Sequence, residues 1–272
     1  MTIDKTAGEV TVFTISQATA ATFADLYIDQ TFLCFVRSGT KRVLCPINGE
    51  LIAGEGDLLV FPSGSFVTLE NRPLRDAAYR AEGVCFAHDL IASVFTGPAH
   101  LERGAASAER MTGIRVIPAE LRSSERMLAQ IRETIACADI PAPIRRHRFL
   151  EPLIWLRHLG VELDPLQDNR PVSRVRRLLE TDLTHPWRIS EVARYFGMSE
   201  ATMRRWLAES GHAFSKILQN ARLERGLVLL QTTDVPISRI ALECGFSTPS
   251  HFSDSFRKRF SIAPKCIRST AE

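Results

Sequence analysis

The sequence predicts an α+β protein, in which an N-terminal β-barrel with two packing helices precedes an all-α domain where a long helix joins two helix-turn-helix units. The first observation is a short helical pattern ending in glycine, which occurs twice near the C-terminus, 48 residues apart. The second is a series of short apolar runs, separated by Gly and Pro, in the N-terminal third of the chain. The third is a polar stretch without periodicity between these two parts.

Residues 11–88 are predicted to form the short strands of the barrel, within a domain that covers residues 1–163. Apolar runs of strand length occur at residues 32–36 and 58–61. Turn signals lie between and after these runs, at Gly39, Gly49, residues 54–57 and residues 62–64. Strands are expected to continue to about residue 95.

The segment at residues 56–64 resembles a cupin motif, which implies a cupin-like barrel. Metal-dependent cupins hold a divalent ion with several histidines and an acidic ligand inside the barrel. Here His88 is the only histidine of the barrel region, and Phe66 stands where a ligand histidine is expected. The motifs of phosphate loops and of serine nucleophiles are also missing. We therefore expect no metal, no cofactor and no enzymatic activity.

Three cationic residues, Arg37, Lys41 and Arg42, flank a predicted strand turn. Barrel mouths are common small-molecule sites, so one of these side chains could bind an effector that carries a carboxylate. The alternative is a solvated hairpin tip without a ligand. Control by a protein partner instead of a small molecule also remains open.

Two helices are predicted at about residues 118–160, where the apolar spacing becomes helical. Pro141 and Pro143 mark the loop between them. The pattern alone makes them core helices that close the open side of the barrel. The polar segment 164–171, with two prolines, is predicted to be the linker to the C-terminal domain, residues 172–272.

Charge is divided unevenly along the chain. Residues 171–272 hold 16 Lys and Arg against 10 Asp and Glu, whereas residues 1–170 hold 18 against 21. A basic C-terminal part fits a nucleic-acid-binding domain, although chance clustering of solvated charge is an alternative. The sequence shows no membrane span, no signal peptide and no zinc spacing among its six cysteines. We therefore expect a cytoplasmic protein.

The repeated units have the pattern of a helix-turn-helix motif, whose second helix enters the DNA major groove. Each begins with apolar residues at i, i+3, i+4 and i+7 and ends its first helix at a glycine. These residues are Ile189, Val192, Ala193 and Phe196 before Gly197, and Ile237, Ile240, Ala241 and Cys244 before Gly245. The recognition helices follow, one at about residues 200–210 with Ser199 as N-cap, the other from Thr248 and Pro249.

The helix that joins the two units is predicted over residues 214–232 and would be about 28 Å long. Its apolar residues fall on opposite faces, so it is expected to be buried between two partners. One face has Phe214, Ile217, Leu218, Ala221 and Val228, and the other has Leu223, Leu227 and Leu230. Such a spacer could place the recognition helices about one DNA turn, roughly 34 Å, apart.

The domain opens with a helix predicted at residues 172–183. Its apolar residues, Val175, Leu178 and Leu179, are expected to point inward. Its basic residues, Arg174, Arg176 and Arg177, are expected to point outward.

Several segments of this domain match a known pattern: 222–226 (RLERG), 229–230 (LL), 237–241 (ISRIA), 244–246 (CGF), 251–252 (HF), 256–260 (FRKRF) and 263–264 (AP). Together they resemble the signature of the AraC/XylS family of transcription regulators. The departures are Gly226 for the usual alanine, Ser261 for glycine, Ala263 for threonine and Ile267 for an aromatic residue.

The resemblance implies a promoter-binding regulator, an activator that contacts RNA polymerase, with a cupin-like domain that senses an effector or dimerises. In this family the helical pair often makes the dimer contact, so a homodimer through residues 118–160 is expected. One alternative is a repressor, or a regulator controlled by a protein partner. Another is a cupin-type enzyme with an accessory DNA-binding domain, which the missing histidine ligands oppose.

The outward faces of the recognition helices provide the candidate contacts to DNA bases. These candidates are Ala201, Thr202, Arg204, Arg205, Ser250, His251 and Asp254. Specificity is expected to depend on Arg204 and Arg205, because arginine can donate two parallel hydrogen bonds to guanine. An alternative for Arg205 is an i,i+4 pair with Glu209. Phosphate contacts add affinity and salt dependence without sequence preference. The candidates for them are Arg188, Arg194, Ser199, Lys216, Arg257, Lys258 and Arg259.

Overall fold

The computed structural model describes residues 4–6, 9–96, 113–121, 123–137, 139–164, 170–209 and 211–268. The chain divides into two compact units, residues 2–167 and 168–272. This division falls inside the predicted linker 164–171, of which residues 165–169 lie outside the described residues.

The N-terminal unit contains ten strands among its described residues, arranged in two antiparallel sheets. The strands are β1 (Asp4–Thr6), β2 (Val10–Gln17), β3 (Ala21–Ile28), β4 (Phe32–Ser38), β5 (Thr40–Cys45), β6 (Gly49–Ala53), β7 (Leu58–Phe61), β8 (Ser65–Arg72), β9 (Tyr79–Phe86) and β10 (Arg115–Ile117). The first sheet has the order β1-β2-β9-β4-β7-β10, and the second has the order β3-β8-β5-β6. The predicted barrel is therefore present as two sheets that do not close into one.

Burial along the strands follows the sequence pattern. Strand β7 and most of β4 are buried on both faces, in agreement with their interior positions in the first sheet. Strand β8 alternates between buried and more exposed residues, so one face of the second sheet points inward and the other outward.

Three helices accompany the sheets: α1 (His88–Phe95), α2 (Ser123–Ala136) and α3 (Ala142–His158). Their apolar side chains form one core with strands of the first sheet. Helices α2 and α3 lie within the predicted range of 118–160. Helix α1 corrects the prediction that strands continue to about residue 95, since the preceding strand ends at Phe86. Its buried residues are Leu90, Ile91, Val94 and Phe95. An apolar run of this length does not by itself distinguish a buried helix from a strand.

The C-terminal unit is helical in its described part. The helices are α4 (Pro171–Leu179), α5 (Ile189–Tyr195), α6 (Glu200–Glu209), α7 (Phe214–Thr232), α8 (Ile237–Glu243), α9 (Pro249–Phe260) and α10 (Lys265–Arg268). Helices α5 and α6 form the first helix-turn-helix unit, α8 and α9 form the second, and α7 joins them, which confirms the prediction. Gly197 and Gly245 follow the first helix of each unit with φ of 66° and 76°, a conformation that favours glycine. None of the described helices combines the length and apolarity needed to cross a bilayer.

Helix α7 is buried on two sides, as its sequence predicts. Ile217 and Ala221 are buried on one side, and on the other the buried residues are Leu223, Leu227 and Leu230. Val228 differs from the prediction, because 43% of it is exposed although helical spacing places it on the face of Ala221. This face is therefore covered only along the N-terminal half of the helix.

Arg176 of α4 also lies differently from the prediction, which placed it outward. Its side chain is 6% exposed and donates hydrogen bonds to Glu224 of α7 at 2.7 Å and to Glu180 at 2.9 Å. Burial alone would lower the pKa of Arg176, but the two carboxylates outweigh it and raise the pKa. A buried guanidinium is stable only with such partners, so the sequence position alone does not reveal its orientation.

Candidate nucleic-acid interface

The first recognition helix, α6, is fixed at its start by a side-chain cap. Ser199 Oγ accepts a hydrogen bond from the backbone N–H of Thr202 at 3.1 Å and lies 2.9 Å from Thr202 Oγ1. Met203 and Leu207 are buried and hold the inner face of the helix against the unit. This arrangement confirms the predicted N-cap.

A cation–π contact joins α6 to α4. The guanidinium of Arg174 lies 5.0 Å from the centre of the Phe196 ring and 5.4 Å from that of Trp206. The two rings also meet edge to face, with their centres 5.8 Å apart. Arg174 therefore stabilises the packing of α4 against the first helix-turn-helix unit.

The outward face of α6 consists of the residues expected there. Its exposed residues include Ala201, Thr202, Arg204 and Arg205. The Arg204 side chain is 64% exposed, and its Nη2 lies 3.5 Å from Glu200 Oε2. The i,i+4 ion pair found on this helix is therefore Arg204 with Glu200, in place of the expected alternative of Arg205 with Glu209. An exposed pair of this kind is weak, so Arg204 can exchange its partner for a base at little cost.

The second recognition helix, α9, has the same construction. Thr248 Oγ1 accepts from the backbone N–H of His251 at 3.2 Å, and Pro249 occupies the first turn. Three phenylalanines at i, i+4 and i+8 are buried along its inner face: Phe252, Phe256 and Phe260. Its exposed residues include the predicted set, Ser250, His251, Asp254, Arg257 and Lys258.

Two charged residues of α9 have partners that bear on their expected roles. Arg257 Nη2 donates to Asp254 Oδ1 at 3.2 Å, and both side chains are about 70% exposed. Arg259 is placed differently, because its side chain is only 11% exposed and its Nη2 lies 3.6 Å from Glu224 Oε1. Its guanidinium also lies 5.2 Å from the centre of the Phe260 ring. Arg259 thus faces the interior, unlike Arg257 and Lys258.

The remaining phosphate candidates are exposed, most of them at helix starts and Arg194 in the last turn of α5. They are Arg188, Arg194, Ser199 and Lys216. Arg188 is the N-cap residue of α5. Lys216 lies in the first turn of α7, and this first turn contains no acidic residue. Cations and free backbone N–H groups at a helix start both favour an anion such as a phosphate.

Two further arginines, which the sequence analysis did not assign, are used inside the unit. Arg222 donates to the carbonyl oxygens of Leu183 and His185, both at 2.9 Å. Arg268 donates to backbone carbonyls around the end of α7, among them Val235 O at 2.6 Å. Burial lowers the pKa of both guanidinium groups. With Arg176 and Arg259, they reduce the basic surface below what the residue count indicates.

The three effector candidates of the N-terminal unit are not brought together. Arg37 pairs with Glu82 at 2.7 Å and also with Glu125 of α2. Arg42 pairs with Glu50 at 2.5 Å, along the second sheet.

Lys41, which points to the opposite side of β5 from Arg42, is 3% exposed. Its Nζ donates to Asn71 Oδ1 at 2.6 Å and lies 5.2 Å from the centre of the Tyr79 ring. Burial lowers the pKa of Lys41. In the described residues, no group of three or more His, Cys, Asp or Glu is placed to hold a metal ion.

Comparison with known proteins places the C-terminal unit among DNA-binding domains. A helix-turn-helix domain family matches residues 192–270. The transcriptional regulator SirC of Salmonella typhimurium is 37% identical over 91 residues, which are 34% of this chain and 31% of SirC. The transcriptional activator AggR of Escherichia coli is 36% identical over 92 residues, which are 34% of this chain and 35% of AggR. The chain thus spans about a third of the length of these curated relatives.

A solved structure is similar along nearly the whole chain. ToxT of Vibrio cholerae aligns with a TM-score of 0.66 and 15% identity, covering 97% of this chain and 99% of ToxT. At this identity the likeness concerns the fold alone, a β-rich N-terminal part followed by a helical C-terminal part.

Proposed function

We propose that the chain is a sequence-specific transcription regulator whose C-terminal unit is a DNA-binding domain of the AraC/XylS type, as its similarity to a helix-turn-helix family and to SirC and AggR supports. It binds a small set of promoters and activates them, under the control of its N-terminal unit. The observation that carries the proposal is the pair of capped recognition helices, α6 and α9, whose exposed faces hold polar and basic side chains. The related proteins SirC and AggR are named as a regulator and an activator, not as enzymes.

In this proposal α6 is the stronger reader of DNA bases. Arg204 and Arg205 donate paired hydrogen bonds to guanine in the major groove. Thr202 donates to or accepts from a base edge, and Ala201 contacts a thymine methyl group. The weak pair of Arg204 with Glu200 holds the guanidinium extended on the exposed face until DNA replaces the carboxylate.

Helix α9 supplies a second and weaker set of contacts. Ser250 and His251, beside the cap, contact bases, and Asp254 accepts from a cytosine amino group. Because Arg257 pairs with Asp254, it neutralises the carboxylate that would otherwise repel a phosphate.

Phosphates are bound by the exposed cations and by the start of α6. These contacts come from Arg188, Arg194, Ser199, Lys216, Arg257 and Lys258. Arg259 is left out of the set, since its charge is directed at Glu224 in the interior.

The N-terminal unit is proposed to provide control and a homodimer contact. Helix α3 exposes three large apolar side chains, Ile144, Ile154 and Trp155, to the extent of 50%, 52% and 41%. Apolar residues exposed in this way on one helix fit the contact between two copies. RNA polymerase is the further partner of an activator, and the site of action is the bacterial nucleoid in the cytoplasm.

A small-molecule effector, if it carries a carboxylate, is assigned to Lys41. The charges of Arg37 and Arg42 are already neutralised by carboxylates of this chain. Lys41 instead contacts an amide oxygen and an aromatic ring among the described residues. A buried ammonium is stabilised strongly by a carboxylate that reaches it.

The test is genome-wide DNA capture with the intact protein, followed by gel-shift titration of the best sites at several salt concentrations. A few promoters that share two sequence blocks about one helical turn apart are expected. Arg239→Ala is a matched control for the substitutions Arg204→Ala and Arg205→Ala, because it also removes one exposed positive charge. Arg239 is 73% exposed and pairs with Glu243 on α8. Binding that is steep in salt but has no motif would contradict the proposal, and so would a full chain that binds no DNA.

A further inference from the structure

A group of four charged residues, three of them largely buried and one partly exposed, connects both halves of the C-terminal unit. Its members are Arg176, Glu180, Glu224 and Arg259, which we call the Glu224 cluster. Arg176 belongs to α4, which packs against α7 beside the first helix-turn-helix unit. Arg259 belongs to α9, the second recognition helix. Glu224 lies at the middle of α7, between them.

The two carboxylate oxygens of Glu224 contact arginines from different halves of the C-terminal unit. Oε2 accepts a hydrogen bond from Arg176 Nη1 at 2.7 Å. Oε1 lies 3.6 Å from Arg259 Nη2, an ion-pair distance longer than a hydrogen bond. The side chains of Arg176, Glu224 and Arg259 are only 6%, 9% and 11% exposed. One carboxylate therefore serves two guanidinium groups that come from two different helices, α4 and α9.

Burial makes this arrangement sensitive to the position of each helix. An exposed ion pair tolerates displacement because water solvates both charges. A buried guanidinium that moves away from a carboxylate loses ionic stabilisation and gains no water in exchange. Movement of α9 relative to α7, or of α4 relative to α7, is thus opposed by the same side chain.

We propose that Glu224 is a positioning residue that fixes the relative orientation of α6 and α9, and so sets the spacing between the two DNA blocks that the protein accepts. The inference rests on the proposed function, because it requires that both recognition helices contact DNA. Glu224 itself contacts no DNA in this proposal. Its effect appears only when both blocks are bound at once, since the second contact then depends on the geometry of the first.

The experiment compares labelled duplexes that carry both blocks at the natural spacing, both blocks with one base pair added or removed, or the first block alone. The wild-type chain is expected to bind the natural spacing about tenfold more tightly than the altered spacings. Glu224→Gln keeps the shape of the side chain and removes its charge. It is expected to bind the first block as the wild type does and to lose most of the preference for spacing.

Glu180→Gln is the matched control. It also removes a carboxylate from Arg176, but Glu180 lies only four residues along the chain from that arginine, so the change leaves Glu224 in place between Arg176 and Arg259. The preference for spacing should survive this change. Arg259→Gln is the second variant, and within the cluster it removes only the contact between α9 and Glu224. It should likewise lose the preference for spacing, and it provides the test if Glu224→Gln does not fold.

The outcomes distinguish the proposed function of α9 from the positioning role of Glu224. A wild-type chain that binds one block as tightly as two overturns the proposed function of α9, and the positioning role with it. A wild-type chain that prefers one spacing, with Glu224→Gln or Arg259→Gln keeping that preference unchanged, overturns the positioning role alone. An equal loss on every duplex by a folded Glu224→Gln variant also overturns it, because a general loss of affinity does not require control of spacing.

Discussion

Gly226 sits in the interior of α7 at a position where the AraC/XylS signature that this segment resembles usually has alanine, and the structure predicts that Gly226→Ala destabilises the C-terminal unit. A Cβ built at this position would lie 2.6 Å from Phe252 Cε2 and 2.9 Å from its Cζ. Phe252 is fully buried in α9, so its ring has no solvent into which to move. Helices α7 and α9 thus approach more closely here than an alanine would permit.

Two effects of opposite sign decide the magnitude. Alanine is favoured over glycine in a helix interior by about 0.8–1 kcal/mol. Overpacking a dense core costs about 1–3 kcal/mol. The expected net result is a loss of about 1 kcal/mol in the free energy of unfolding, which is a fall in Tm of about 4–8 °C for a domain of this size. Helix propensity alone would give a gain of similar size, so the sign of the change distinguishes the two explanations.

Urea unfolding followed by tryptophan fluorescence measures this change in the intact chain. Trp187 and Trp206 lie in the C-terminal unit, and Trp155→Phe removes the tryptophan of the N-terminal unit at a partly exposed site. In that background Val228→Ala is the matched control, because Val228 is 43% exposed on the same helix. That control gains helix propensity without overpacking. A gain in stability for Gly226→Ala as large as helix propensity predicts would refute the close packing of α7 against α9.

Other substitutions test DNA contacts and backbone conformation. Arg204→Ala and Arg205→Ala should each lose about 1–3 kcal/mol on a specific site and relax preference at one base pair, measured by binding to a randomised library; unchanged preference in both variants would end their assignment as base contacts. Arg257→Ala should weaken binding to all sequences equally and make the salt dependence shallower, so a loss confined to one sequence would make it a base contact instead. Ser261→Gly should stabilise the C-terminal unit by about 1 kcal/mol in urea unfolding, because Ser261 has a φ of 58°; no gain would show that the serine is not strained. Asp57→Ala should destabilise only the N-terminal unit, by about 1.5–3 kcal/mol, since its carboxylate accepts two backbone N–H groups at 2.8 and 2.9 Å; a shift in the unfolding of the DNA-binding unit would contradict this.

Local patterns predicted the helix-turn-helix units well because each feature depends on neighbouring residues. The apolar spacing before Gly197 and Gly245, and the caps at Ser199 and Thr248, are all determined within one or two turns of chain. The outward faces of α6 and α9 follow from the same periodicity. The sequence was therefore sufficient to place the base-contact candidates on exposed surfaces, although it could not show which charged side chains pair there.

The N-terminal unit was less predictable because its arrangement depends on distant pairing. Strand β4 pairs with both β7 and β9, and β10 joins the same sheet from beyond α1. Two of the cations next to the β4–β5 turn have partners far along the chain, since Arg37 pairs with Glu82, 45 residues away, and Lys41 donates to Asn71, 30 residues away. Residue type alone therefore made Arg37, Lys41 and Arg42 equal candidates, and only the fold separates them.

The arginines of the C-terminal unit show why net charge is a poor measure of a DNA-binding surface. By composition, Arg176 and Arg259 are as basic as Arg204 and Arg257. Arg176 and Arg259 are nevertheless directed at a glutamate of α7 that lies 48 and 35 residues away in sequence, whereas Arg204 and Arg257 have only weak exposed pairs. The unit thus contains arginines of two kinds, those buried between helices with close counterions and those exposed on the surface with weak ones. Since arginine suits both positions, the basic composition indicates that the ligand is anionic. The buried acids determine how much of the positive charge remains on the surface to contact such a ligand.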